Sequence, residues 1–291
     1  MDQRRTIIKM STLKTTVASN LASLGAISNT GDTYFETTNN RIVVWSGSAW
    51  VNYNNDGTAV PFSNSYSVSF DGTDDYFGSL PITRLNSAAW TTTIPITVSA
   101  WFKITTFEQY DGIFGHCRVN ADGTANPSFI GNYSGLHMGA SNGLQLWLSG
   151  NAYTLSGTYS TDTWYHGAYT WDGTTVIFYL NGSSIGSNSD NSNGFTTYFG
   201  LWAGGIGRYN RYTACKVDEL ALWDSALSSS DITTLYNGGL ATDVSTLSPL
   251  AWYRMGDGTE AASGTTIYDQ SGNSNSNGVL FNGVAYSTDT I

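Results

Sequence analysis

Residues 164–182 read WYHGAYTWDGTTVIFYLNG, two apolar runs separated by Asp172-Gly173. Asp-Gly between such runs signals a two-residue hairpin turn, because glycine reaches positive φ without a steric penalty. A hairpin cannot stand alone in water and must bury one face against further strands. The rest of the middle of the chain supplies them. In VSAWFKI (98–104), Val98, Ala100, Phe102 and Ile104 alternate with polar Thr97, Ser99 and Lys103. GIFGHC (112–117), GLQLWLSG (143–150) and KVDELALW (216–223) are further short runs bounded by Gly, Asn, Asp and Ser. Short strands at this spacing predict two packed antiparallel sheets.

Composition agrees. The 291 residues include 40 aromatics and 32 glycines but only four glutamates and 12 Lys+Arg, poor material for surface helices. The expected class is all-β. A net charge of −10 argues against nucleic acid or an anionic membrane surface as partner. No apolar run approaches 18 residues, so membrane insertion is not expected. Lys9 and Lys14 interrupt the N-terminal segment, which does not read as a signal peptide.

Three segments follow from the patterning. Residues 1–62 hold a polar leader and then TYFET, RIVVW and AWVNY, a strand-turn-strand-turn-strand arm. Residues 63–240 form the sandwich. Within them LSSSDITTLYNGG predicts one short helix, with Ser228 as N-cap, Asp231 three residues on, and Asn237-Gly238 as C-cap. Residues 241–291 form an extension that either completes the sandwich or reaches a neighbouring subunit.

Several residues are candidates for chemistry. FDGTDDYF (70–77) places three aspartates within five positions. Asp71 reads first as an Asx-turn residue, with Asp74 and Asp75 as turn and solvent residues. Strict alternation puts Asp218 on one face with Leu220 and Leu222, and a buried carboxylate needs a cation or several donors. The loop LWAGGIGRYNRY (201–212) gathers Trp202, Tyr209 and Tyr212 beside Asn210, ring and amide types suited to stacking on and hydrogen-bonding a sugar. His116, His137 and His166 form no catalytic spacing, and each reads as a packing residue. Cys117 and Cys215 could pair or remain buried thiols.

The ordered series SVSFDGTDDYF, ITVSAWFK, IFGHC, WYHGAYTWDGTTVIFYLNG and KVDELALWDSALSSSDITTLYNGG resembles the laminin G-like, concanavalin A-like jelly rolls over about residues 66–240. The resemblance implies a structural calcium bound by Asp218 first and Asp71 second, with carbonyls completing the shell. It also raises glycoside hydrolysis. The E-x-D-x-E strand of glucan-cleaving relatives is absent, however, and Glu36, Glu108, Glu219 and Glu260 are scattered, so no enzyme is expected. WYRMGDG and IYDQSGNSNSNG, the MSTLKTT leader and WSGSAW resemble structural and host-attachment proteins of tailed bacteriophages. That likeness implies a virion protein anchored to other virion proteins by its N-terminal arm, assembled as a homo-oligomer, and displaying the jelly roll to host-surface polysaccharide. A capsid decoration or head-fibre protein and a secreted bacterial carbohydrate-binding module are the alternatives.

Overall fold

The computed structural model describes residues 62–82, 94–118, 133–148, 151–189, 199–206, 211–273 and 276–291, together with the backbone of four short strands before them. Two compact units emerge: residues 1–63 with 243–248, and residues 64–242 with 249–291. In the first, β1 (Leu13–Lys14), β2 (Thr33–Glu36), β3 (Arg41–Trp45) and β4 (Trp50–Tyr53) form one sheet in that order. The last three strands coincide with the three apolar runs of the arm.

The second unit is the sandwich. Its strands are β5 (Ser67–Asp71), β6 (Tyr76–Ser79), β7 (Ile96–Ile104), β8 (Gly112–Arg118), β9 (Tyr133–Met138), β10 (Leu144–Leu148) and β11 (Asn151–Leu155). There follow β12 (Trp164–Trp171), β13 (Thr175–Leu180), β14 (Ser183–Ser189), β15 (Phe199–Ala203), β16 (Gly205–Ile206), β17 (Arg211–Tyr212) and β18 (Ala214–Trp223). The last are β19 (Ala251–Tyr253), β20 (Thr266–Ile267), β21 (Gly278–Phe281) and β22 (Ala285–Ser287). The first sheet runs β11-β10-β9-β8-β15-β6-β21-β20; the second runs β14-β13-β12-β7-β18-β5-β22, with β19 beside β18. Residues 249–291 thus add strands to both sheets of their own chain.

Period-two alternation builds the core. Val98, Ala100, Phe102 and Ile104 of β7 face Phe114, Leu136, Leu144, Leu146 and Leu201 of the first sheet. Phe102, Phe114, Phe178 and Trp171 are essentially without exposed surface, and burying each such side chain contributes about 1.5–3 kcal/mol. The hairpin read from Asp172-Gly173 forms as β12–β13, where Asp172 Oδ1 accepts from Thr174 N and Thr175 N and Gly173 takes φ 104°. Helix α1 (Ser229–Tyr236) has the predicted capping box between Ser228 and Asp231 and a left-handed Asn237. It buries Ile232 and Leu235 and stacks Tyr236 on Trp101 of the second sheet's outer face.

One expectation fails in β18. Cys215 and Val217 pair with Phe70 and Val68 and belong to the core, so Lys216 and Asp218 face outward. The ladder then shifts between Asp218 and Ala221, and Glu219 takes φ 49°. This bulge adds one residue and restores Leu220 and Leu222 to the core. Asp218 therefore lies on the opposite face from the two leucines. Cys117 sits in β8 of the first sheet and Cys215 in β18 of the second; both are buried free thiols.

Candidate functional site

One end of the sandwich gathers the turn after β5, the loop before β8, the β16–β17 hairpin and the turn after β21. The ladders make this unavoidable, since Asp71 pairs with Ala214, Phe281 with Tyr76, and Gly112 with His137. Tyr76 stacks on Phe281 at 4.5 Å and 14°, and Tyr212 stacks on Tyr76 at 6.4 Å and 28°. Nearby, Tyr110 is 41 % exposed and held at φ 75°, a backbone region that L-residues seldom enter. The Arg211 guanidinium lies 5.3 Å from the centre of the Tyr110 ring and donates to the Gln109 carbonyl. Trp147 presents its ring edge-on to Tyr110 at 6.5 Å. Beneath them burial lifts the Asp111 carboxyl to about 6, helped by the charge of Glu108 and opposed by Arg211.

Of the four residues predicted to meet a sugar, Tyr212 lies on this rim. Tyr209 and Asn210 fall outside the described residues. Trp202, expected to stack on a sugar, instead has no exposed surface. Its indole lies over Gly115 and Gly135, where an added Cβ would stand 2.8 and 2.7 Å from Cζ2, and beside the His137 ring at 5.5 Å. Two facing glycines create a slot that only a large flat ring fills, and a ring so covered cannot receive a ligand. Sequence reasoning missed Tyr76, Tyr110 and Phe281. The signal for Tyr110 was its place in FEQYDG, an aromatic residue just before an Asp-Gly turn.

The aspartates of FDGTDDYF divide. Asp71 is exposed, and its Oδ1 accepts from Thr73 N at 2.7 Å, the Asx turn expected of it. Asp75 is buried rather than solvated, and its Oδ2 accepts from Asp71 N. Carboxylate oxygens of Asp71, Asp74 and Asp75 lie within 4.8 Å of one another. Asp71 does not join Asp218. The register puts it opposite Ala214, four residues along β18, or about 13 Å at ~3.3 Å per residue.

Asp218 instead sits in a buried polar layer outside the second sheet. Its Oδ2 accepts from Asn64 Nδ2 at 2.9 Å and its Oδ1 from Glu219 N at 2.8 Å. Glu219 accepts from Trp252 Nε1 at 2.5 Å and Arg254 Nε at 3.2 Å. Asp257 accepts from Ser65 N and Tyr66 N, and Glu260 from Gly256 N, Gly258 N and Tyr268 N. Burial, then the charge of Glu219, raises Asp218 well above the usual carboxylate range; burial also holds Glu219 up at about 7, against the pull of Arg254. Three carboxyls face one guanidinium, so without a further positive charge Asp218 keeps its proton, and a bound cation would let it ionise. Asn64 Oδ1 is buried without a partner, and turning that amide over would place an oxygen beside Asp218. Asp218 and a turned Asn64 amide would together offer oxygens to an ion, and Asn64, not Asp71, is the residue beside Asp218.

The histidines pack. His116 bonds Tyr169 Oη at 2.6 Å across the core and stacks on Phe199; His166 Nε2 meets Ser99 Oγ at 2.8 Å beneath α1; His137 lies between Trp147 and Trp202. Burial holds all three imidazoles down at about 3.

The solved structures that share the fold include a "putative carbohydrate binding protein" from Bacteroides ovatus, at 19 % identity and TM-score 0.57, covering 91 % of this chain and 72 % of that one. A heptameric SAP-like pentraxin from Limulus polyphemus aligns at 17 % identity and TM-score 0.44, covering 60 % and 82 %. Domain 4 of an extracellular arabinanase from Geobacillus stearothermophilus, in complex with arabinotriose, aligns at 18 % identity and TM-score 0.42, covering 55 % and 87 %. No curated protein matches the sequence. Residues 71–233 match the family model described as the concanavalin A-like lectin/glucanases superfamily, which is more than half of the chain, and the protein belongs to that family.

Proposed function

We propose that this protein is a non-enzymatic, lectin-like virion component of a tailed phage, anchored by residues 1–62 and presenting its sandwich to a host-surface glycan. The observation that carries the binding reading is the rim. Tyr110 is exposed at a strained backbone position with Arg211 packed on its ring, and the Tyr212–Tyr76–Phe281 stack stands beside it with Asp74. Exposed rings stack on the apolar face of a pyranose, while a guanidinium and carboxylates bond its hydroxyls. Glu219 and Glu260 are consumed by structural hydrogen bonds, which supports the non-enzymatic reading. The phage context rests on the resemblance of the leader and C-terminal segments. The separation of the arm from the sandwich as its own compact unit is consistent with it.

A glycan array with the full chain tests the binding reading. Wild type should retain a defined subset of glycans, and Tyr110→Ala and Arg211→Ala should each weaken that binding by about tenfold, roughly 1.4 kcal/mol. An array on which wild type binds nothing sinks the proposal. Deleting residues 1–60 tests the anchor: the remaining sandwich should fold but no longer incorporate into particles. As a structural ion we propose calcium, held by Asp218 and Asn64 with backbone carbonyls. It would neutralise the acidic layer, and a strong chelator should then lower the melting temperature of wild type but not of Asp218→Asn.

A further inference from the structure

The outer face of the second sheet carries a groove of about 360 Å³ between the β12–β13 hairpin and the start of α1. That volume accommodates a small ligand. Nearly buried Thr170 and Tyr179 form its floor with Ile177; Leu227 and Thr175 also line it, and exposed Asp172 and Ser184 stand at its mouth. Thr170 and Tyr179 are only 4 % and 3 % exposed. Neither hydroxyl has a hydrogen-bond partner among the described residues, and neither oxygen is sealed from the groove. Nearly buried hydroxyls without a partner are uncommon, because a lost bond to water is not replaced.

The walls are held in place. Thr97 Oγ1 donates to the Ser225 carbonyl and accepts from Leu227 N, tying the segment before α1 to β7. Asp172 pins the hairpin tip through Thr174 and Thr175. The β13–β14 ladder slips between Phe178 and Tyr179, leaving Ile185 of β14 as the extra residue of a bulge beside Tyr179. Asp172 is the one charged residue lining the groove. A lining of hydroxyl-bearing side chains interleaved with Ile177, Ala226 and Leu227, with an aspartate and no cation among its residues, suits a neutral, polyhydroxylated molecule and disfavours an anion.

We infer that this groove is a second binding site, for a neutral saccharide of one or two residues, which hydrogen-bonds Thr170 Oγ1 and Tyr179 Oη and packs on Ile177 and Leu227. The site stands on its own geometry and does not depend on the rim.

Saturation-transfer NMR and titration calorimetry on the full chain would test this. The probes are glucose, galactose, N-acetylglucosamine and their β-linked dimers, with sialic acid as an anionic control. At least one neutral sugar should bind and sialic acid should not. Thr170→Val and Tyr179→Phe keep the shape of the floor and break no protein hydrogen bond, so the melting temperature should stay within about a degree while affinity falls threefold or more. Ser184→Trp, at an exposed position, should block the mouth. Tyr110→Ala, on the rim, should leave this binding intact. The inference is overturned if no neutral sugar binds wild type, if affinity changes less than threefold in both floor variants, or if Tyr110→Ala abolishes the signal. The last outcome would move the sugar to the rim and leave the lectin reading standing.

Discussion

The two buried layers of the sandwich differ in what holds them. Between the sheets the filling is aliphatic and aromatic, and its main polar link among the described residues is His116 to Tyr169. Outside the second sheet the filling is carboxylates, amides and cations: Asp218, Glu219, Arg254, Asp257, and further along Lys103, Lys216 and Asp289. The first layer depends chiefly on area removed from water, with His116 as a titrating member. The second depends on charges whose desolvation must be matched partner by partner. One protein therefore has one layer that should respond to cavity-forming substitutions and another that should respond to pH, ions and the loss of a single partner.

The largest effect should come from the core. Phe114→Ala removes a fully buried ring and should cost about 3–5 kcal/mol in urea unfolding, with little dependence on pH between 6 and 8. A loss below about 1 kcal/mol would mean that the inter-sheet layer is looser than its burial implies.

Arg254→Ala strips Glu219 of its cation and should cost about 3 kcal/mol at pH 8. At pH 5 the loss should be much smaller, since Glu219 already titrates at about 7 and can take a proton instead. Equal losses at both pH values would break the contrast between the layers.

The pH profile of wild type sharpens it. The three imidazoles titrate at about 3 when folded and near 6.5 when unfolded, so the unfolded chain gains protons first and stability is lost as pH falls below about 6.5. Each imidazole contributes about 1.4 kcal/mol per pH unit in that range. Asp111 and Glu219 act in the opposite sense. Their raised folded values mean that stability present below pH 4 is lost as pH rises through about 6 and about 7. Asp218, also raised by burial, adds to the second set. With three imidazoles against three carboxyls the two sets nearly cancel between pH 4.5 and 6, and the melting temperature should then fall as pH rises to 8 and the carboxyls give up their protons; a melting temperature that rises from pH 6 to 8 contradicts the assignment.

The smallest effect belongs to Asp289, whose carboxylate bridges Lys103 and Lys216 while remaining 36 % exposed. Asp289→Asn should cost less than about 1 kcal/mol, and the difference should vanish in 1 M salt.

Turn chemistry and alternation were legible directly. Asp172-Gly173, the capping box at Ser228 and Asp231, and the β7 pattern each act within a few residues, so local sequence determined the hairpin, the helix and the inward face of the central strand. What local pattern could not determine was which face Asp218 occupies. The bulge at Glu219 exists because β18 pairs with β5 and β7 on its two sides and with β19 beyond, and only the assembled sheet decides where one residue is left over. Trp202 was misread for a similar reason: the Gly115–Gly135 slot that swallows its ring is built from two other strands. The rim likewise draws on segments more than 100 residues apart in sequence, and the groove on segments some 40 to 60 residues apart. The sequence by itself determined the all-β class, the turns and the apolar faces, because those follow from backbone sterics and solvent exclusion acting locally. The tertiary structure alone decided which carboxylates are buried, which rings are exposed and which hydroxyls lack partners, because burial and partnering are set by segments that meet only when the two sheets close.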